Sequence, residues 1–109
     1  MTATHWKHHL SSDRRNLVET LQKINFGRIE GLVIRGGEPV LDPMPRIMHE
    51  FKFQADNSPR PESVKSDFLL KRQVVELFAL IDQLGDGVIQ SLEVRHGLPF
   101  RMTVEEVPA

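Results

Sequence analysis

The stretch GRIEGLVIRGGEP at residues 27–39 returns sixty positions later as GVIQSLEVRHGLP at residues 87–99, with six of thirteen positions identical. Average residue usage gives about one identity in such a window. An internal repeat narrows the possible folds, because a unit too small to bury its own apolar face must bury it against the next copy. The residues leading into each stretch repeat as well. Leu17, Val18, Leu21 and Ile24 recur at helical spacing, and Leu77, Phe78, Ile81 and Leu84 do the same at the same offset. Each set makes one apolar helix face.

Punctuation repeats with the pattern. The first helix is expected to stop at Asn25 and the second at Gly85, residue types that tolerate the left-handed conformation of a helix C-terminus. Gly36-Gly37 and His96-Gly97 then separate apolar runs, as tight hairpin turns require. The pattern predicts helix one over about 12–24, strand one over 28–35 and strand two over about 38–53. Helix two is expected over about 66–84, strand three over 88–95 and strand four over 98–107. Pro39 and Pro99 open second strands, where proline disrupts least. Pro43 and Pro45 predict an early kink or bulge in strand two. Its later part alternates, with Ile47, His49, Phe51 and Phe53 on one face. In strand four, Phe100, Met102 and Val104 are expected to share a face. Ile29 has the opposite parity to Leu32 and Ile34, and Ile89 the opposite parity to Leu92 and Val94. Either a bulge near Glu30-Gly31 and Gln90-Ser91 returns each trio to one side, or Ile29 and Ile89 tuck under the helix ends.

The expected class is α+β, a single domain over residues 1–109. Pseudo-repeats 12–53 and 66–107 are joined by the polar linker 54–65, which carries two prolines and no period. Ser66 is the expected cap of helix two. Duplicated helix-strand-strand units would form a four-stranded antiparallel sheet with both helices on one face. One unit alone would leave its sheet edge and much apolar surface exposed.

The first half, in LVETLQKINFGRIEGLVIRGGEPV at residues 17–40, resembles the YezD-like family of small bacterial proteins. The second half resembles it more faintly over 87–99. The resemblance implies a helix, an aromatic-Gly step, an apolar strand and a glycine-containing turn. It transfers no catalytic residues. Family chains carry one such unit, whereas this chain carries two and continues its second strand with PRIMHEFKF.

Composition narrows the function. Fourteen basic and fifteen acidic residues give a formal charge of −1, unlike domains held to nucleic acid by bulk charge. The chain contains no cysteine, which excludes disulfides, thiol chemistry and cysteine-ligated metal sites. No run of about 18 apolar residues exists, and the basic start MTATHWKHHL has no apolar signal core after it. A cytoplasmic location is expected, and no cofactor is implied.

Several residues are candidates for function. His5, His8 and His9 have a spacing that, on a helix, suits a metal ion; the plainer reading is a solvated or partner-facing segment. Trp6, the only tryptophan, can pin that segment to the domain or to a second chain. Arg35 and Arg95 lie beside the two turns and can form a symmetric anion site, or stand exposed and pair with local glutamates. Arg28, Arg46 and Arg101 can extend a basic sheet face toward nucleic acid, although the closely spaced aromatics of an RNA-stacking sheet are missing. His49 reads as a partly buried strand histidine. Glu76, Asp82 and Asp86 have no implied mutual geometry. Helix two is apolar around most of its girth, so a second surface must cover it, whether helix one, the N-terminal segment or a second subunit. Leu69 and Leu80, eleven positions apart, mark an extra ridge expected to seal a homodimer, with Trp6 nearby. The leading expectation is a non-enzymatic interaction or accessory module, homodimeric. The alternative is a regulator that binds a small ligand or nucleic acid through an arginine-bearing sheet face.

Overall fold

The structure is a computed structural model, and it describes residues 9–53 and 71–105. The elements run α1 (Ser12–Ile24), β1 (Gly27–Arg35), β2 (Glu38–Val40), β3 (Arg46–His49), α2 (Arg72–Leu84), β4 (Gly87–Arg95) and β5 (Leu98–Glu105). The protein is α+β, with two helices and an antiparallel sheet of five strands among the described residues. The sheet order is β2-β1-β4-β5, and β3 also pairs with β1. β2 lies along Val33–Arg35 and β3 along Gly27–Glu30, so the two short strands share one edge of β1.

Each helix begins and ends for local reasons. Ser11 caps α1, its Oγ accepting the Arg14 amide at 3.2 Å. Both helices stop in the same geometry. Asn25 stands at φ 61°, ψ −61° and Gly85 at φ 70°, ψ −70°. The Phe26 amide donates to the Ile24 carbonyl at 2.6 Å, and the Asp86 amide to the Leu84 carbonyl at 2.8 Å. These are γ-turns of the rare, strained form, with the cap residue at the centre. The next turns match as well: Gly36 and Gly37 have φ 58° and 74°, His96 and Gly97 φ 56° and 72°.

The central pair is β1 with β4. Gly27 faces Val94 and Ile34 faces Gly87. Moving sixty residues on from Gly27 and sixty back from Val94 gives that second pair, so exchanging the two halves leaves the register unchanged. Gly31 and Gln90 are skipped in this pairing, and Gly31 has φ 73°. Both strands are therefore irregular at the same level, where the parity of their apolar residues breaks. The result is that Ile29, Leu32 and Ile34 are all buried, and so are Ile89, Leu92 and Val94. They join Leu17, Val18, Leu21 and Ile24 of α1 and Val74, Leu77, Phe78 and Ile81 of α2 in one cluster.

Several expectations are corrected. Strand two is not continuous to residue 53. The interruption expected at Pro43 and Pro45 is present over residues 41–45, where the Asp42–Pro43 peptide is cis, but β3 ends at His49. Val33 faces Val40 and Glu30 faces Arg46, so three steps along β1 match six along its neighbour. Three extra residues bulge out. Beyond His49 the chain has passed Gly27, the first residue of β1, and after the Glu50 amide donates to the Phe26 carbonyl at 2.8 Å no strand among the described residues pairs with it. Phe51 and Phe53 are accordingly 69% and 94% exposed, and His49 is exposed rather than partly buried, its ring stacked on Phe51 at 6.1 Å. α2 begins at Arg72 with Lys71 at its N-cap, later than expected; Ser66 and the linker lie outside the described residues. β5 carries one extra residue against β4. Val94 faces Pro99 while Glu93 faces Arg101. Phe100 is the bulged residue, so Pro99, Met102 and Val104 face the core while Phe100 stays 48% exposed.

Candidate functional site

Three surface features draw on residues with chemistry to offer. The first is a polar clamp at the start of α1. Arg14 donates from Nε and Nη2 to the Gly37 carbonyl at 3.2 and 2.7 Å, and from Nη2 to Asp82 Oδ1 at 2.5 Å. Its guanidinium lies 5.0 Å from the centre of the Phe78 ring. Ser11 Oγ donates to Glu38 Oε1 at 2.5 Å. This network ties α1 to the β1–β2 turn and to the end of α2. The equivalent position sixty residues on is the buried Val74, so the clamp has no counterpart in the second half. Comparing positions 14 and 74 in the sequence alone reveals the exception, a charge where the repeat is apolar.

The second is the sheet face away from the core. Cross-strand partners on one face sit side by side. One row reads Met48, Arg28, Glu93, Arg101 and the next Arg46, Glu30, Ser91, Thr103. Arg28 Nε donates to Glu30 Oε2 at 2.7 Å, Arg46 stands 3.9 Å from Glu30, and Arg101 stands 3.7 Å from Glu93. The hydrogen bond from Arg28 holds the Glu30 carboxyl below the usual carboxylate range, against the opposing effect of desolvation, and the Arg28 guanidinium is raised in turn. Each of the three arginines on this face lies near a glutamate, Arg28 and Arg46 sharing Glu30 and Arg101 taking Glu93, so most of its positive charge is paired.

The third is a groove between α2 and β5. It holds about 130 Å³ and is lined by Leu77, Leu80, Leu92, Pro99, Phe100 and Met102, with Gln73, Glu76 and Arg101 at its rim. Leu80 is 47% exposed. Arg95 and Arg101 flank Phe100, their guanidinium carbons 3.9 and 5.4 Å from the ring centre. A related groove lies between α1 and the 41–45 bulge, lined by Asp13, Asn16, Glu19, Thr20, Lys23, Leu41, Asp42 and Met44. Position by position, Asn16 stands for Glu76, Thr20 for Leu80 and Asp42 for Met102. The first half's groove is mixed, six polar residues with Leu41 and Met44, whereas the second half's is mainly apolar.

The other candidate residues disperse. Arg35 follows the Ile34–Gly87 pair and Arg95 follows the Gly27–Val94 pair, at opposite ends of the central strands. At the usual strand rise they are roughly 30 Å apart, so one small anion cannot touch both. Asp82 binds Arg14, Asp86 Oδ1 accepts the Gly36 amide at 2.8 Å, and Glu76 meets Arg72 at 3.1 Å. Those three carboxylates have separate structural partners. Of the histidine trio only His9 is described, and it is exposed; His5, His8 and Trp6 lie outside the described residues. So does Leu69, the residue expected to share a ridge with Leu80. Among the described residues there is no group of three or more His, Cys, Asp or Glu placed to hold a metal ion. Among the same residues, no helix is long and apolar enough to cross a membrane.

Compared with protein-family models, with curated proteins and with solved structures, the chain finds no match in any of the three.

Proposed function

We propose that this protein is a non-enzymatic interaction module that works as a homodimer, through the apolar groove between α2 and β5. The observation that carries this is the pairing of Leu80 with Phe100, two large apolar side chains each about half exposed along one groove. Fully burying such a side chain contributes about 1.5–3 kcal/mol, which favours a partner that covers both. A symmetric dimer is the commonest oligomer. Light scattering on the full chain at tens of micromolar tests the reading. A dimer mass is expected, and a monomer mass at all concentrations overturns it.

The same proposal reads the architecture as a duplicated helix-strand-strand unit, with β2 and β3 as two pieces of one outer strand and both helices on one face of the sheet. Matching helix lengths, matching cap geometry and a register that survives exchange of the halves support it. The likeness of residues 17–40 to the YezD-like family fits one such unit. Regulation through an arginine-bearing sheet face is the weaker reading, because Arg28 and Arg46 are drawn to Glu30 and Arg101 to Glu93, which leaves little uncompensated charge there.

A further inference from the structure

We infer that two copies of this chain join antiparallel along the free edge of β5, with Thr103 at the two-fold axis. This deepens the homodimer reading and rests on it. The two outer edges of the sheet are built differently. Along β2 and β3 the edge is three residues, a five-residue break with Pro43 and Pro45, and four residues; Pro39 removes a further amide. Such an edge cannot template a partner strand. β5 is eight residues long and, among the described residues, pairs only with β4. On β5 itself the interruptions, Pro99 and the bulged Phe100, fall at its start; the second register shift, opposite Thr103 and Val104, is taken up by the extra residue Gln90 on β4. From Arg101 to Glu105 the residues of β5 alternate between the faces without a bulge of their own.

That regular stretch is complementary to itself. It reads Arg101, Met102, Thr103, Val104, Glu105. Antiparallel pairing about Thr103 sets Arg101 opposite Glu105 of the partner subunit, and Met102 opposite Val104 of the partner subunit. Opposed residues share a face, so the charges meet on the solvated face and the apolar pair meets on the core side. The contact occurs twice by symmetry, as an isologous interface requires. Arg101 already has Glu93 at 3.7 Å on the β4 side, and the partner supplies a carboxylate on the other. α2 packs over β5, so Leu80 and Phe100 flank the same seam. The mixed groove of the first half includes Leu41, Asp42 and Met44 of the proline-broken edge, and the mainly apolar groove lies against β5.

The chain has no cysteine, so Thr103→Cys introduces a unique thiol. Directly opposed residues in an antiparallel pair have Cα atoms about 4.5–5.5 Å apart, within disulfide range. Under mild oxidation T103C is expected to cross-link to a covalent dimer, while a control thiol on α1, Glu19→Cys, is not. Separately, Glu105→Arg places like charges opposite each other twice and is expected to raise the dissociation constant about tenfold. The exchange Arg101→Glu with Glu105→Arg restores association, with circular dichroism checking the fold of each variant. If the wild-type chain is dimeric but T103C cross-links no faster than E19C and E105R dissociates like wild type, the β5 edge is overturned and the homodimer reading stands. A monomeric wild-type chain overturns both.

Discussion

The Gly37 amide donates to the Gly85 carbonyl at 2.8 Å, and sixty residues further along the chain the Gly97 amide donates to the Asn25 carbonyl at 2.9 Å. Each hairpin turn is thus fastened to the end of the other half's helix. The γ-turn at each helix end aims a carbonyl outward, and the left-handed turn residue aims an amide at it. The halves hold each other through the two points where each is most irregular.

Gly85 holds its half of this arrangement at φ 70°, ψ −70° with open space where a Cβ would stand. The cost of a side chain there is conformational rather than steric. Gly85→Ala is expected to lower stability by about 1–3 kcal/mol, read by chemical denaturation, with the circular dichroism spectrum unchanged.

Gly27 and Gly87 occupy equivalent places but differ in surroundings. A Cβ on Gly27 would overlap the Met48 carbonyl oxygen, because β3 runs close against β1 there. A Cβ on Gly87 would meet only the Leu84 side chain, at 3.0 Å. Gly27→Ala is therefore expected to cost about 3 kcal/mol or more and Gly87→Ala about 1 kcal/mol. Equal midpoints in a denaturant titration would overturn the distinction.

Arg14 is largely buried, and its guanidinium serves the Gly37 carbonyl and Asp82 together. Arg14→Ala is expected to destabilise by about 1.5–3 kcal/mol. Arg14→Lys recovers little of this, since an ammonium lacks the planar fork that reaches both acceptors. Asp82→Asn, altering an exposed partner, is expected to cost under about 1 kcal/mol. Thermal melts of the three variants order them.

Glu30 has a lowered folded-state pKa, so the stability its pairing contributes is present above the ordinary glutamate value and is lost as pH falls through the lowered one. Wild type and Glu30→Gln are expected to converge in stability across that acidic window. Carboxyl titration by nuclear magnetic resonance places Glu30 below the ordinary value, and Arg28→Ala returns it upward.

What the sequence alone determined was local or periodic. Helix one over 12–24 was legible from its apolar face and its stop at Asn25, since cap and period both act within a few residues. The positive φ at Asn25 and Gly85, the two X-Gly turns and the irregularity at Gly31 and Gln90 were legible for the same reason. Alternation, however, states which residues can share a face and not whether a neighbouring strand exists to receive them. Phe51 and Phe53 alternate with Ile47, yet β1 begins at Gly27 opposite His49, so both phenylalanines emerge into solvent. Phe100 left the core face because β5 takes an extra residue against β4, an offset that belongs to two strands together. Arg35 and Arg95 looked like one site because they share a place in the repeat. An antiparallel central pair sends equivalent positions to opposite ends, and that direction is decided only when the halves pack. The groove of Leu80 and Phe100 has the same origin, joining residues twenty apart that touch because α2 lies across β5.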